Sequence, residues 1–356
     1  MKGIKVYMSL NIMYDEAKKT VEKALLNSGL SPRQAEVCAD IHIQSSADGV
    51  ESHGLNRIPR FVDYVQKGWV NVSGNPELKC AKGAVENYDG HLGIGITNAL
   101  FCSDRAMELA KEHGIGCVTL KNTTHWMRGG TYAWHMAEKG FMGISWINTE
   151  SCMPLWGSDE PGVGNNPFCI AIPREEGPIV LDMAMSQYAY GKLGTYRLAG
   201  KTLPFPGGFD KDGDLTDDPG AIEDSMRILP MGYWKGSGMA IVLDMAAALM
   251  ANGNSGIDID NANSGSCTGC CQIFIAYDPY LFGSKEEIQS LLNARVNAAD
   301  STHPDKEEGH VYCPGERTMN TRKKSMSDGI TVNENVWNQI KAIADGNLNI
   351  TDVSSK

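Results

Sequence analysis

From Glu51 to Phe61 the chain reads Glu-Ser-His-Gly-Leu-Asn-Arg-Ile-Pro-Arg-Phe, which gathers Ser52, His53, Arg57 and Arg60 into one short stretch. An imidazole exchanges a proton near neutral pH. A guanidinium grips a carboxylate through two parallel hydrogen bonds. An enzyme acting on an α-keto or α-hydroxy acid needs both groups. The competing reading makes His53 the lining of a helix junction and the arginines surface charges.

Three further polar stretches bear on that choice. Asn122-Thr-Thr-His-Trp-Met-Arg-Gly-Gly130 follows a strand-like run and precedes a helix-like one. Polar groups at the C-terminal end of a strand are a common place for a site in α/β proteins. His125 and Arg128 there could face a ligand, with the two glycines allowing close approach; alternatively Trp126 and Met127 are core and the rest is loop. Gly162-Val-Gly-Asn-Asn-Pro167 is a polar loop between two strands. Tyr233-Trp-Lys-Gly-Ser-Gly238 stands directly before an apolar helix, where small residues and a helix start suit a phosphate and Lys235 adds a charge. The same glycines equally suit a loop that merely starts a buried helix. No Gly-x-Gly pair in the chain continues into the dinucleotide fingerprint in a strand-turn-helix context, so a Rossmann cofactor site is not supported.

Metal chemistry finds little support. Cys267-Thr-Gly-Cys270-Cys271 has the spacing of a metal or redox pair but no second pair, and the strand-like Gln272–Tyr277 follows it. The ten cysteines are scattered through a chain of enzyme size and read as free thiols of a reducing cytoplasm. Asp210, Asp212 and Asp214 imitate a calcium loop, but its twelfth position is Ala221 where a bidentate glutamate is needed, so they read as turns. No bound metal is expected.

Periodicity supplies the elements that must position these groups. Helices are expected over 15–26, from a Ser31-Pro-Arg-Gln34 capping box to about Ser45, over a short run through Phe61, Val62 and Val65, and over 97–113, 131–138, 239–251 and 334–344. His42 falls on the buried stripe of the second. Strands are expected near 75–90 and over 115–120, 142–148, 168–172, 179–183 and 272–277. Residues 200–230 read as a long ordered loop. The fold class is therefore α/β: a central mixed sheet without a Rossmann cofactor site, flanked by helical N- and C-terminal segments. The expected division is an N-terminal helical segment, 1–90, carrying the histidine turn; a central α/β unit, 91–282; and a C-terminal helical segment, 283–356, packing back on the N-terminal part.

Composition is consistent with a soluble protein. Hydrophobic residues make up 42% and charged ones 21%, and no run approaches the ~20 apolar residues that span a bilayer. The first ten residues are interrupted by polar groups and are not read as a signal peptide. A net charge of −11 argues against nucleic acid as a partner but not against a locally positive anion pocket.

Taken together, the Ser-His-Gly-x-x-Arg turn at Ser52–Arg57, His125-Trp-Met-Arg-Gly-Gly130, the Gly-x-Asn-Pro loop and Ile228-Leu-Pro-Met-Gly-Tyr-Trp-Lys-Gly-Ser-Gly238 resemble the type 2 malate/L-lactate dehydrogenase family over about residues 10–345. The resemblance implies a nicotinamide-dependent oxidoreductase that uses NADH, with NADPH as the alternative, on a small keto or hydroxy sugar acid. Malate, lactate and ureidoglycolate are rival substrates within the family, and a non-catalytic sugar-acid or nucleotide-binding protein is the rival of another class. It implies His53 as the acid/base with Ser52 beside it, and Arg57 as the carboxylate partner, with His125 and Arg128 also toward the substrate. Cofactor contacts are implied at Pro178, Ile179, Val180, Leu181, Asp182, Met183 and Ala184, at Trp234 and Lys235, and at a late turn, Gly315, Glu316 and Arg317. That turn departs from the family's Pro-Gly-His-Glu by lacking the histidine, and Asn165 stands where threonine is usual. A cytoplasmic homodimer is implied as well, with no membrane partner.

Overall fold

The computed structural model describes residues 9–305 and 309–349; residues 1–8, part of the stretch read as no signal peptide, lie outside them. A seven-stranded mixed sheet forms the centre, in the order Glu77–Lys82, Val85–Asp89, Ile115–Thr123, Cys270–Tyr277, Met142–Ile147, Phe168–Ile172 and Ile179–Met183. Only Val85–Asp89 and Ile115–Thr123 run parallel; every other pairing is antiparallel. Cys270–Tyr277 is the middle strand, with Ile273 opposite both Thr119 and Trp146. Its run of apolar residues is buried on both faces, as a strand covered on both sides must be.

Helices cover both faces. Gly95–His113 and Gly130–Glu138 pack on one, and Trp234–Ala251 on the other through Ala240, Leu243 and Ala247. Gly114, at φ +81°, closes the first of these helices in the left-handed conformation that glycine tolerates best. Cys270 belongs to the core on one side of the sheet and Cys271 to the core on the other, because successive strand residues point to opposite faces. That alternation separates the two thiols of the Cys-Cys pair.

The N- and C-terminal parts interlock. Ser9–Ile12 pairs antiparallel with Ile330–Asn333. Helix Tyr14–Asn27 presents Ala17, Val21, Ala24 and Leu25 to the same core as Val336, Trp337, Ile340 and Ile343 of Glu334–Ala344. Ser31 and Gln34 form the expected capping box at the start of Pro32–Ala47.

Several elements depart from the sequence reading. Tyr190–Leu198 and Gly256–Ala262 are helical; Glu316–Asp328 falls in the stretch expected to be helical but buries no residue, so no apolar period marks it. The 200–230 segment holds a small hairpin, Gly208–Phe209 with Leu215–Thr216, and helix Pro219–Ser225 capped by the Asp218 carboxylate. Asp210 is a turn residue whose carboxylate accepts the N–H groups of Asp212 and Asp214. Among the described residues, no single helix is long and apolar enough to cross a membrane.

Candidate active site

The histidine turn is built on helix Pro32–Ala47. His42 and Ser46, one helical turn apart, face the same way. The His42 Nδ1–H donates to the Gly54 carbonyl at 3.0 Å, and Ser46 Oγ accepts the Leu55 N–H at 2.8 Å. A Cβ at Gly54 would fall 2.1 Å from Ser46 Oγ, so only glycine lets the turn lie this close. His42 is thus a buried structural histidine. Burial pushes its pKa down to about 4, so it stays neutral, with Nε2 unpartnered.

That grip fixes the short helical turns Glu51–His53 and Leu55–Arg57 at the edge of a cavity of about 1530 Å³. Ser52 Oγ lies 2.9 Å from His53 Nδ1, which leaves Nε2 of that ring for a ligand. The His53 ring stacks on His125 with centroids 5.6 Å apart. His125 Nδ1 accepts the Met127 N–H at 2.9 Å, so its neutral form carries the hydrogen on Nε2. Burial, then the Arg57 charge, pushes His53 down to about 4, and the same two causes hold His125 well below the ordinary histidine value. Arg57 lines the same cavity, and among the described residues it has no hydrogen-bond or ion-pair partner. Burial and the neighbouring Arg60 work against its charge. Among the described residues the cavity therefore holds a guanidinium with no ion-pair partner beside two neutral imidazoles, an arrangement that favours an anion.

Arg128 sits differently from Arg57. Its Nε donates to Asp182 at 3.0 Å and its Nη1 to Asp48. Burial disfavours its charge, but the two carboxylates more than offset that and raise its pKa. Asp48 in turn binds Arg322 at 2.6 and 2.9 Å, and Arg322 lies over the Trp134 ring. The network joins the end of helix Pro32–Ala47, the His125–Gly130 loop, the edge strand Ile179–Met183 and helix Glu316–Asp328. Asp48 and Asp182 balance the charges of Arg128 and Arg322, and Glu138 approaches Arg322 at 3.6 Å from its exposed side. A Cβ at Gly130 would come within 2.3 Å of Asp182, so this glycine is what lets the loop approach the strand. Trp126 and Met127 are core.

The cavity brings most of the expected residues together. Ser52, His53, Arg57, His125, Arg128, Val180, Leu181, Asp182, Met183, Ala184, Gly315 and Arg317 all line it. The late turn is tied to the edge strand by the Val180 N–H, which donates to Pro314 O at 3.0 Å; Gly315 takes φ +93° there. Pro178, Ile179 and Glu316 do not line the cavity; the Glu316 carboxylate accepts the Cys313 N–H and bonds His310. Trp234 and Lys235 lie outside it too, exposed on the first turn of Trp234–Ala251. That helix starts five residues earlier than periodicity suggested. Gly236 and Ser237 are buried in its first turn, and a Cβ at Gly236 would meet the Met231 carbonyl at 2.4 Å. Within one chain Gly236 serves packing, whereas a Cβ at Gly238 would meet open space.

Sequence reading passed over Glu150, Asp48, Arg322 and Gly191. Glu150 follows the strand Met142–Ile147 and lines the cavity, so the strand-end signal that singled out His125 was present there too. Asp48 and Arg322 had no local signal, being 274 residues apart.

Comparison with known proteins gives a consistent result. Residues 12–341 match the malate/L-lactate dehydrogenase family. A protein of Klebsiella pneumoniae named 2,3-diketo-L-gulonate reductase is 42% identical over 94% of this chain and 100% of its own length. Among solved structures, sulfolactate dehydrogenase from Methanocaldococcus jannaschii superposes with a TM-score of 0.86 at 27% identity, covering 96% of this chain and 98% of the other. Malate dehydrogenase from Entamoeba histolytica reaches a TM-score of 0.90 at 23% identity, covering 97% and 99%.

Proposed function

The chain belongs to the malate/L-lactate dehydrogenase family, and from that premise we propose that its cavity reduces the 2-keto group of a sugar acid, 2,3-diketo-L-gulonate, with NADH as electron donor. The observation that carries this reading is the unpaired Arg57 guanidinium in the same cavity as the stacked His53–His125 pair.

The residues fit a nicotinamide dinucleotide. The cavity volume exceeds the ~300–1,000 Å³ of a drug-sized site, leaving room for a cofactor and a small acid together. The edge strand and the Pro314–Gly315 turn offer backbone groups along one side, and Arg317 offers a cation near them. Residues 180–184, Gly315 and Arg317 would hold the cofactor, which when bound supplies a hydride to the substrate carbon. NADPH is the alternative donor.

Arg57 takes the substrate carboxylate in a two-pronged grip, which sets the adjacent carbonyl against His53. The bound anion offsets the Arg57 charge that disfavours imidazolium, so His53 gains a proton as the acid binds. In that form Nδ1–H donates to Ser52 Oγ and Nε2–H points to the carbonyl oxygen. His53 then passes the Nε2 proton to that oxygen as the alcohol forms, and takes it back in the reverse direction. Such help is worth ~10²–10⁴-fold. His125, neutral with hydrogen on Nε2, donates to the same oxygen or to the carboxylate. Arg128, tied to two aspartates, orients the loop that carries His125.

A homodimer belongs to this reading. Val242, Met245 and Leu249 on the outer face of Trp234–Ala251 are 59%, 66% and 81% exposed, an apolar stripe that a second copy would cover. Trp234 and Lys235 stand at its end, so pairing through this helix would carry them toward the partner's cavity. The division into terminal helical segments and a central α/β unit, a cytoplasmic location and a role in carbohydrate metabolism complete the proposal.

The test is NADH consumption with 2,3-diketo-L-gulonate, oxaloacetate and pyruvate. Turnover of the first well above the others is expected. A flat absorbance trace across the panel would favour a non-catalytic binding protein.

A further inference from the structure

The cavity holds a carboxylate that the reaction above does not use. Glu150 lines the same cavity as Arg57, close enough for its charge to act on the guanidinium. Its Oε2 accepts the Cys267 N–H at 2.8 Å. Cys267 is held at φ +52°, a left-handed conformation that few residues other than glycine adopt, in the turn that supplies this N–H. Among the described residues Oε1 accepts no hydrogen bond, and Glu150 forms no ion pair. The cavity wall around it includes the neutral residues Ser151, Cys152 and Ser266.

A carboxylate fixed by one oxygen keeps the other free to accept from O–H groups, and such charge-assisted bonds are the strong ones. The same charge repels an anion brought beside it in a partly dehydrated cavity. Arg57 and Glu150 thus put a positive and a negative charge on the lining of one cavity, which also carries Arg60, Arg128 and Asp182, and this suits an acid charged at one end and hydroxylated along the rest. Malate and sulfolactate, for which two of the structural relatives are named, carry a second anionic group; 2,3-diketo-L-gulonate carries hydroxyls.

We infer that Glu150 sets the substrate class of this cavity: it accepts hydrogen bonds from the hydroxyls of an uncharged tail and turns away acids whose far end bears a second carboxylate or sulfonate. The inference rests on the keto-acid reductase reading and adds the chemistry of the far end of the substrate. It names a specificity residue that none of the motifs contains.

The experiment compares the full-length wild type with Glu150→Gln, which keeps the shape and the Cys267 contact and removes the charge. NADH consumption is followed with 2,3-diketo-L-gulonate, oxaloacetate and pyruvate. A loss of about tenfold in kcat/KM for the polyhydroxylated acid is expected, with a gain of about tenfold for oxaloacetate and a change within about twofold for pyruvate. Oxaloacetate binding to the NADH-loaded proteins, read by nicotinamide fluorescence, should tighten by a similar factor, and gives a readout if the variant loses turnover. Parallel changes for all three acids, or no gain for oxaloacetate in either assay, would overturn the inference while leaving the reductase reading intact. A wild type inert toward every acid would overturn the reductase reading, and this inference with it.

Discussion

Replacing Arg57 tests the proposed site most directly, because the proposed mechanism gives it two separable roles. Among the described residues it has no hydrogen-bond or ion-pair partner, and its charge is the second cause, after burial, of the low His53 pKa. Arg57→Met removes both the two-pronged grip and the charge. Truncating one partner of a buried, hydrogen-bonded charge pair costs about 2–5 kcal/mol, so KM for the keto acid should rise about 30-fold or more. KM for NADH should stay within about twofold. Loss of the charge also lets the His53 pKa rise from about 4 toward the ordinary histidine value. With His53 as the proposed proton donor, kcat/KM falls as pH rises through the free-enzyme pKa, and the falling limb should move to higher pH in this variant. Arg57→Lys keeps the charge but not the planar fork. It should raise KM for the acid about tenfold and leave the limb where the wild type has it. The assay is initial-rate NADH consumption for the three proteins between about pH 4 and 9. Equal rises in both KM values for Arg57→Met would refute the carboxylate grip. An identical limb in all three proteins would refute the electrostatic coupling to His53.

Other perturbations follow from the same geometry. His53→Ala should lower kcat by about 10²–10⁴-fold with NADH binding kept, checked by steady-state rates and fluorescence titration; near wild-type turnover would remove His53 from the mechanism. A Cβ at Gly191 would lie 2.4 Å from the Ser52 Cβ, so Gly191→Ala should push the histidine turn aside and lower kcat about tenfold or more, with little change in melting temperature. His42 and His53 are both held near pKa 4, below the ~6.5 of an unfolded histidine, so the unfolded chain binds more protons between those values and stability falls as pH drops through that window. Each should contribute about 2 kcal/mol of loss between pH 7 and pH 5, read from denaturant midpoints, and His42→Phe should flatten part of the slope. Leu249→Glu should yield monomers by light scattering if the outer face of Trp234–Ala251 is the dimer contact.

What the sequence determined by itself was whatever depends on near neighbours. The Ser31–Gln34 capping box, the Gly114 stop and the apolar stripes at Ala17–Leu25 and Val336–Ile343 needed only local spacing, and the structure has them. The family was legible too, since its motifs are contiguous. Polar elements escaped: Glu316–Asp328 buries nothing, and helix Tyr190–Leu198 has as its second residue a glycine, Gly191, that matters only because Ser52 lies against it. Residue types also left roles open that tertiary structure decided. Arg57 and Arg128 look alike in sequence, yet among the described residues one forms no hydrogen bond or ion pair and feels Glu150 only across the cavity, while the other is bound by Asp48 and Asp182. The physical reason is that a charged group's role depends on which opposite charges share its low-dielectric surroundings, and here those come from residues tens to hundreds of positions away. Glu150, held in the cavity by the N–H of Cys267, is set there by the same long-range folding.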